Sequence, residues 1–296
     1  MREATFVYKR LPGCDVMLDV YRPDDKLTRP GIVSIHGGAL IGGSRSGIRP
    51  AQRDRYVAAG SCVISIDYRL APETRLPGIA EDVRDAFDWV RSDGPRLFQV
   101  DPARLAVVGH SAGGYLALLS GCLVAPRPTA IVSFYGYGDI VGNWYSRPDP
   151  FYCQQPRVSE EAARSAVGHR PISGADGPTS QRRNRFYLYC RQRGTWPLEV
   201  AGHDPFAEPE VFDRYCPVRH VTPAYPPTLL LHGDRDTDVP YEQSTLMAAA
   251  LARAGVEHEL ITIAGGGHGF DRDLDRPDVA AAFDRAVAFL QRHNGD

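Results

Sequence analysis

A chain of 296 residues can bury one large core, and α/β domains commonly reach this size. Its 43% hydrophobic and 24% charged residues are ordinary for a globular protein and exclude a disordered or fibrous class. A net charge of −2 argues neither for nor against a charged partner, and no stretch approaches the roughly 18 apolar residues of a membrane span.

Two leading strands, 5–9 and 16–21, read as an antiparallel hairpin at a sheet edge. Strand and helix then alternate: a strand at 31–36, a helix near 50–59, a strand at 62–67 and a helix from about 79 to 91. Ile79, Val83, Phe87 and Val90 give that last helix a core-facing stripe. The apolar run Leu105–Val108 and a helix beginning at Gly113 follow, then the strand 130–135. After a long irregular stretch the rhythm returns with a strand from Thr228, a helix at 241–254, a strand at 258–263 and a final helix at 278–292. Such alternation predicts a mostly parallel sheet with helices on both faces.

Between the run 105–108 and its helix lies Gly109-His110-Ser111-Ala112-Gly113. A Gly-X-Ser-X-Gly between strand and helix is a nucleophile elbow, in which a strained turn lifts the serine hydroxyl above the sheet. The flanking glycines are needed because side chains would collide where strand and helix nearly touch. A serine is a weak nucleophile at neutral pH and needs a base, which needs an orienting carboxylate. In this fold order the acid follows the serine and the histidine comes last.

Asp234, Asp236 and Asp238 share the loop after the strand Thr228–His232. Asp236, in mid-loop, is the expected orienter, with Asp234 as runner-up; Asp238, just before Val239-Pro240, suits a helix cap. His268, framed by Gly267 and Gly269, is the expected base, whereas His36, His110 and His232 are expected to make structural hydrogen bonds at strand ends. All three candidates fall on loops at the carboxyl edge of a parallel sheet, where sites gather. The strand 31–35 ends in His36-Gly37-Gly38-Ala39. Backbone amides of Gly38 and Ala39, with Gly37 as an alternative, are expected to form an oxyanion hole together with Ala112 after the nucleophile. With a neutral histidine as base, activity is expected to fall as pH drops through about 6–7.

His36-Gly37-Gly38-Ala39, Asp67-Tyr68-Arg69-Leu70-Ala71-Pro72-Glu73, the pentapeptide at 109–113, the stretch His232–Pro240 and Gly267–Phe270 resemble the α/β-hydrolases related to hormone-sensitive lipase and bacterial carboxylesterases. The resemblance covers roughly residues 30 to 135 and 225 to 290. It implies an α/β-hydrolase fold, hydrolysis of small carboxylic esters without a cofactor, and Asp236 as the acid. It also makes the final helix and last strand a common dimer edge, so a homodimer is one expectation. The chain departs from the family pattern at Ala39, where a third glycine is usual, and at His110, where an acidic residue is usual.

Residues 1–136 and 223–296 are expected to form one discontinuous core, and the resemblance makes 137–222 an inserted cap. Trp144, Tyr145, Phe151, Tyr152, Tyr187, Tyr189 and Trp196 either line an apolar acyl or aryl pocket or, with greater weight, build the cap's own core. From Asp139 to His220 eleven arginines face ten carboxylates, which indicates no nucleic-acid face. Binding of an acidic substrate group by Arg182, Arg183 or Arg185 is a minor option.

Six cysteines (Cys14, Cys62, Cys122, Cys153, Cys190 and Cys216) show neither a CxxC pair nor metal-ligand spacing. Cys62 and Cys122 read as buried thiols, and a disulfide among Cys153, Cys190 and Cys216 is disfavoured in a reducing compartment. The opening residues Met1–Thr5 carry no apolar secretion core, so a cytoplasmic protein is expected. Two other functions compete with a small-molecule esterase. One is a peptidase of the acylaminoacyl or prolyl type on the same residues. The other is a non-catalytic ligand-binding receptor, which in the resembling plant receptors lacks the histidine.

Overall fold

The computed structural model describes residues 1–295. Its strands are β1 (Arg2–Leu11), β2 (Cys14–Arg22), β3 (Arg29–Ile35), β4 (Cys62–Ile66), β5 (Val100–His110), β6 (Ile131–Phe134), β7 (Thr228–Gly233) and β8 (His258–Ile263). They form one sheet in the order β1-β2-β4-β3-β5-β6-β7-β8. The β1–β2 hairpin pairs antiparallel and joins β4 antiparallel; every other pairing is parallel. Strands β4, β6 and β7 are buried throughout, as expected of strands covered by helices on both faces.

The helices are α1 (Pro50–Ala58), α2 (Leu76–Phe98), α3 (Ala112–Leu123), α4 (Asn143–Ser146), α5 (Pro150–Cys153), α6 (Glu160–Arg164), α7 (Gly177–Arg193), α8 (Trp196–Ala201), α9 (Pro209–Asp213), α10 (Glu242–Arg253) and α11 (Pro277–Asn294). Helix α2 runs seven residues past the expected end, through Gly94-Pro95. Pro95 removes one helical hydrogen bond, but the extension buries Phe98 against Phe6 and Trp89, with ring centroids 5.7 and 6.2 Å away. Gln99, in a left-handed conformation, then stops it. Strand β5 also starts early: Val100 pairs with Arg29, and the register resumes only at Leu105 opposite Gly31. Asp101–Arg104 bulge between the two, which is why only the run from Leu105 was legible as a strand.

Helices α4 to α9 occupy the stretch between β6 and β7. Their aromatic residues mostly pack on one another. Tyr145 stacks on Trp196 at 4.1 Å and on Trp144 at 3.6 Å. Tyr145, Phe186, Trp196 and Phe212 belong to the same apolar cluster as Leu40, Leu70 and Tyr115, so this segment shares the core of the sheet domain. All six cysteines are free thiols, Cys122 only half-buried and Cys153 exposed. No helix among the described residues is long and apolar enough to cross a membrane.

A buried ion pair fastens α7 to the loop after β4. Arg183 donates from both terminal nitrogens to the two carboxylate oxygens of Glu73 at 2.7 Å, and its side chain and that of Glu73 are 3% and 1% exposed. It also donates to the carbonyls of Ile41 and Ala71. Arg183 is thus consumed within the structure, which removes it as a binder of acidic substrates; Arg182 and Arg185 are exposed. Burial would raise the Glu73 carboxyl, but hydrogen bonds from Arg183 and Gly168 hold it below its ordinary value. Arg183→Met should strand that buried carboxylate and lower stability by about 3–5 kcal/mol, and Glu73→Gln in the same chain should recover most of it. Denaturant unfolding of the single and double variants checks both.

Candidate active site

Ser111 stands between β5 and α3 with φ 56° and ψ −120°, a conformation L-residues rarely hold. Sterics explain its neighbours. A Cβ on Gly109 would lie 2.0 Å from the carbonyl oxygen of Gly113, and one on Gly113 would lie 2.0 Å from that of Ile35. The Ser111 amide donates to the Phe134 carbonyl at 2.9 Å, tying the turn to the end of β6.

Two further loops reach this turn. His268 follows β8 and presents Nε2 3.1 Å from Ser111 Oγ. Its Nδ1 lies 2.8 Å from Asp236 Oδ2. The Asp236 side chain is fully buried, and its Oδ1 accepts the amides of Asp238 and Val239 at 2.8 and 2.9 Å, which fixes the carboxylate plane. The runner-up Asp234 points elsewhere and accepts the Gly265 amide at 2.7 Å. Asp238 is not a helix cap: α10 starts at Glu242 with Tyr241 as its N-cap. Asp238 instead receives Tyr152, Tyr187 and Arg191 on Oδ1, because an inward-facing carboxylate draws buried donors from α5 and α7.

The electrostatics suit a proton acceptor. Burial opposes charge on His268, but the hydrogen bond to Asp236 and the charges of Asp238 and Asp236 outweigh it and raise the imidazole above its ordinary value. Burial opposes ionisation of Asp236 too, yet hydrogen bonds from His232 and His268 hold its carboxyl well below the usual range. Three other histidines do structural work. Burial pushes His36 down to about 4, and its neutral ring donates from Nδ1 to the Gly37 carbonyl and stacks on Tyr68 at 4.2 Å. His110, held neutral by burial and the nearby Arg49 charge, stacks on Phe134 and lies 3.1 Å from Asp271. His232 contacts Ser244 Oγ at 2.7 Å and the Val239 carbonyl at 3.0 Å.

The loop after β3 closes over Ser111. A Cβ on Gly37 would meet the His110 carbonyl at 2.8 Å and Ser111 Cβ at 3.2 Å, so only glycine permits this approach. Gly38 takes φ 110°, and Ala39 and Leu40 take φ 56° and 62°. Two non-glycine residues in the left-handed region store strain that surrounding bonds must hold. Trp196 Nε1 donates to the Ala39 carbonyl at 2.9 Å, and the Ala71 amide donates to that of Leu40 at 2.8 Å. The Gly38 and Ala39 amides make no hydrogen bond to the described residues. The Ala112 amide, first in α3, has no intrahelical acceptor.

A cleft of about 450 Å³ opens on Ser111 and His268. Its walls are more polar than an acyl pocket requires: Ser34, Arg49, Ser65, Asp176, Asn184 and Arg272 all face it. Of the aromatic residues between β6 and β7 that the sequence offered, Tyr187 alone reaches it. Three contributors have roles that the sequence reading did not give them. Tyr135 sits edge-on to His268 at 4.6 Å and bonds Asp271, while Trp196 pins the strained loop. A strand-end aromatic after β6 was a visible cue for Tyr135; nothing local marked Trp196 for this contact or Arg272 as a wall residue. Elsewhere, Glu81, Asp82 and Asp85 cluster, but Lys9 and Arg69 meet their charge.

Known proteins share this arrangement of chain. The sequence is 32% identical to the non-reducing polyketide synthase ausA of Aspergillus calidoustus, over 99% of this chain and 14% of that protein. It is 29% identical to the non-reducing polyketide synthase atr1 of Stereocaulon alpinum, over 92% of this chain and 12% of that one. The chain therefore spans only 12–14% of the length of these curated relatives. Among solved structures, a protein of unknown function from Staphylococcus aureus subsp. aureus Mu50 superposes with a TM-score of 0.79 at 22% identity, covering 99% of this chain and 100% of that one. An esterase of Pyrobaculum calidifontis does so with a TM-score of 0.71 at 24% identity, over 98% and 85%. Both structural likenesses are likenesses of fold. The family model for the alpha/beta hydrolase fold matches residues 32–272, from β3 to the turn beyond His268. With that match over most of its length, the chain belongs to the alpha/beta hydrolase fold family.

Proposed function

We propose that this chain is a serine esterase that cleaves small carboxylic esters through Ser111, His268 and Asp236. The observation that carries the reading is the continuous contact from Asp236 Oδ2 to His268 Nδ1 at 2.8 Å and from His268 Nε2 to Ser111 Oγ at 3.1 Å. Asp236 keeps the Nδ1–H tautomer, leaving the Nε2 lone pair aimed at the hydroxyl. His268 takes the Ser111 proton as Oγ attacks the acyl carbon, and the amides of Ala112, Gly38 and Ala39 receive the oxyanion. His268 then protonates the leaving alkoxide, and water releases the acid by the same route. Helices α4 to α9 act as a cap over the cleft in this reading.

The esterase among the structural neighbours supports the choice of ester over amide, and the seated His268 speaks against a receptor. A second reading rests on the relatives named as polyketide synthases: the same serine would accept a polyketide acyl group from an oxygen ester or a thioester. Hydrolysis of p-nitrophenyl esters from acetate to decanoate tests the first reading, with an aminoacyl anilide and an acyl thioester run beside it. Turnover should peak at short acyl chains, because the cleft is small and polar-walled. Activity requires neutral His268, whose proton affinity is raised. The acidic limb of kcat/KM should therefore lie above the ordinary histidine value of about 6.5, with activity lost as pH falls through it. No turnover, together with no labelling of Ser111 by a fluorophosphonate, would overturn the proposal.

A further inference from the structure

The His268 ring lies between two carboxylates. Asp236 takes Nδ1, and Asp238 Oδ2 stands 3.4 Å from Nε2, the nitrogen that faces Ser111. The two oxygens of Asp238 are used differently. Oδ1 receives the Tyr152 hydroxyl at 2.8 Å, the Tyr187 hydroxyl at 2.5 Å and Arg191 Nη1 at 2.8 Å. Oδ2 receives no hydrogen bond from the other described residues and faces the imidazole at 3.4 Å. Arg191 is buried, its side chain 1% exposed, and it also binds the Asp238 carbonyl at 3.0 Å and Asp149 Oδ2 at 2.7 Å. Its guanidinium lies 4.6 to 5.7 Å from the rings of Tyr152, Tyr145, Trp144 and Tyr187, which shield it from water, while the Asp238 side chain is 21% exposed toward the cleft. The chain of contacts closes on itself, since the Asp238 amide donates to Asp236.

We propose, resting on the reading of His268 as general base, that Asp238 is a positioning residue for the imidazolium, and that helix α7 sets its strength through Arg191. When the Ser111 proton moves to Nε2, the new N–H finds a negative oxygen beside it, which favours the transfer. Too strong a hold would keep that proton from the leaving alkoxide. Arg191, bonded to the opposite oxygen, draws off part of the charge and keeps the imidazolium able to donate. Asp238 itself takes no proton: it passes from Ser111 Oγ to Nε2 and then to the leaving oxygen.

The other groups around His268 are fixed in this comparison. Asp236 lies on its far nitrogen, Tyr135 from the end of β6 meets it edge-on, and Tyr187 of α7 lines the same cleft. Arg272, on the turn after it, opposes its protonation, and Arg49 stands beyond the Tyr135 hydroxyl.

Asp238→Asn keeps the Oδ1 acceptor and removes the charge. The acidic limb of kcat/KM should move down by about half to one pH unit, the size expected for one partly buried charge at this distance. Arg191→Met should move it up, and Asp238→Asn/Arg191→Met should fall back to the position of Asp238→Asn. NMR titration of the His268 ring in wild type and Asp238→Asn reads the same coupling without ester turnover. It separates failure of this proposal from failure of the esterase reading, which the fluorophosphonate reports. A His268 midpoint unmoved by Asp238→Asn would overturn the role of Asp238. A limb shifted by Arg191→Met equally with and without Asp238 would overturn that of α7.

Discussion

Ser111→Ala should reduce kcat for ester hydrolysis by about a million-fold, the order seen when the nucleophile of such a unit is removed. The alanine keeps the Cβ that serine already places at φ 56°, so the turn gains no new strain. The amides proposed for the oxyanion and the cleft remain, which leaves only the residual acceleration of binding and oxyanion stabilisation. The thermal midpoint should stay near that of wild type, and labelling by a fluorophosphonate should vanish. Turnover retained by a homogeneous Ser111→Ala preparation would remove Ser111 as nucleophile and with it the proposed mechanism.

Gly113→Ala should be among the most damaging single-methyl changes in the molecule. Its Cβ would meet the Ile35 and His36 carbonyl oxygens at 2.0 and 2.6 Å, and both are backbone of β3 and its loop. No side chain can swing aside, so α3 must lift from β3 and carry Ser111 away from the amides of Gly38 and Ala39. We expect a loss of more than about 3 kcal/mol, the range of overpacking in a rigid core. Gly47→Ala, where a Cβ meets nothing within 4 Å, provides the contrast and should change stability by well under 1 kcal/mol. Urea unfolding of the two variants decides it; a Gly113→Ala protein as stable as wild type would contradict the close-packing argument.

What was legible in the sequence was written locally. The elbow is five adjacent residues, the Asp236 loop follows a run of leucines, and His268 stands between glycines; each obeys rules of strand ends and turns that operate over a few positions. The alternation of strands and helices was legible for the same reason. What stayed hidden depends on partners distant in sequence. Asp238 read as a cap because Arg191, 47 residues earlier, is invisible from its loop. Arg183 stood as a minor candidate for binding an acidic substrate group because Glu73, 110 residues away, bears no mark of the pairing. Helix α2 read as ending before Gly94-Pro95, because the burial of Phe98 that carries it onward is a tertiary effect overriding a local stop signal.

The neighbouring strands β6 and β7 have a consequence for how such a protein diversifies. They pair in parallel although helices α4 to α9 lie between them in the chain. The entropy of closing a loop grows only with the logarithm of its length, about 0.6 kcal/mol for each doubling. Residues can therefore be added or lost in this stretch at little expense to the sheet, provided Arg183, Arg191 and Trp196 keep their anchors. The proposed chemistry sits on short turns that tolerate little change of length, and the cleft walls sit partly on a stretch that tolerates a great deal. Selection can thus remodel what enters the cleft while leaving untouched the machinery that acts on it.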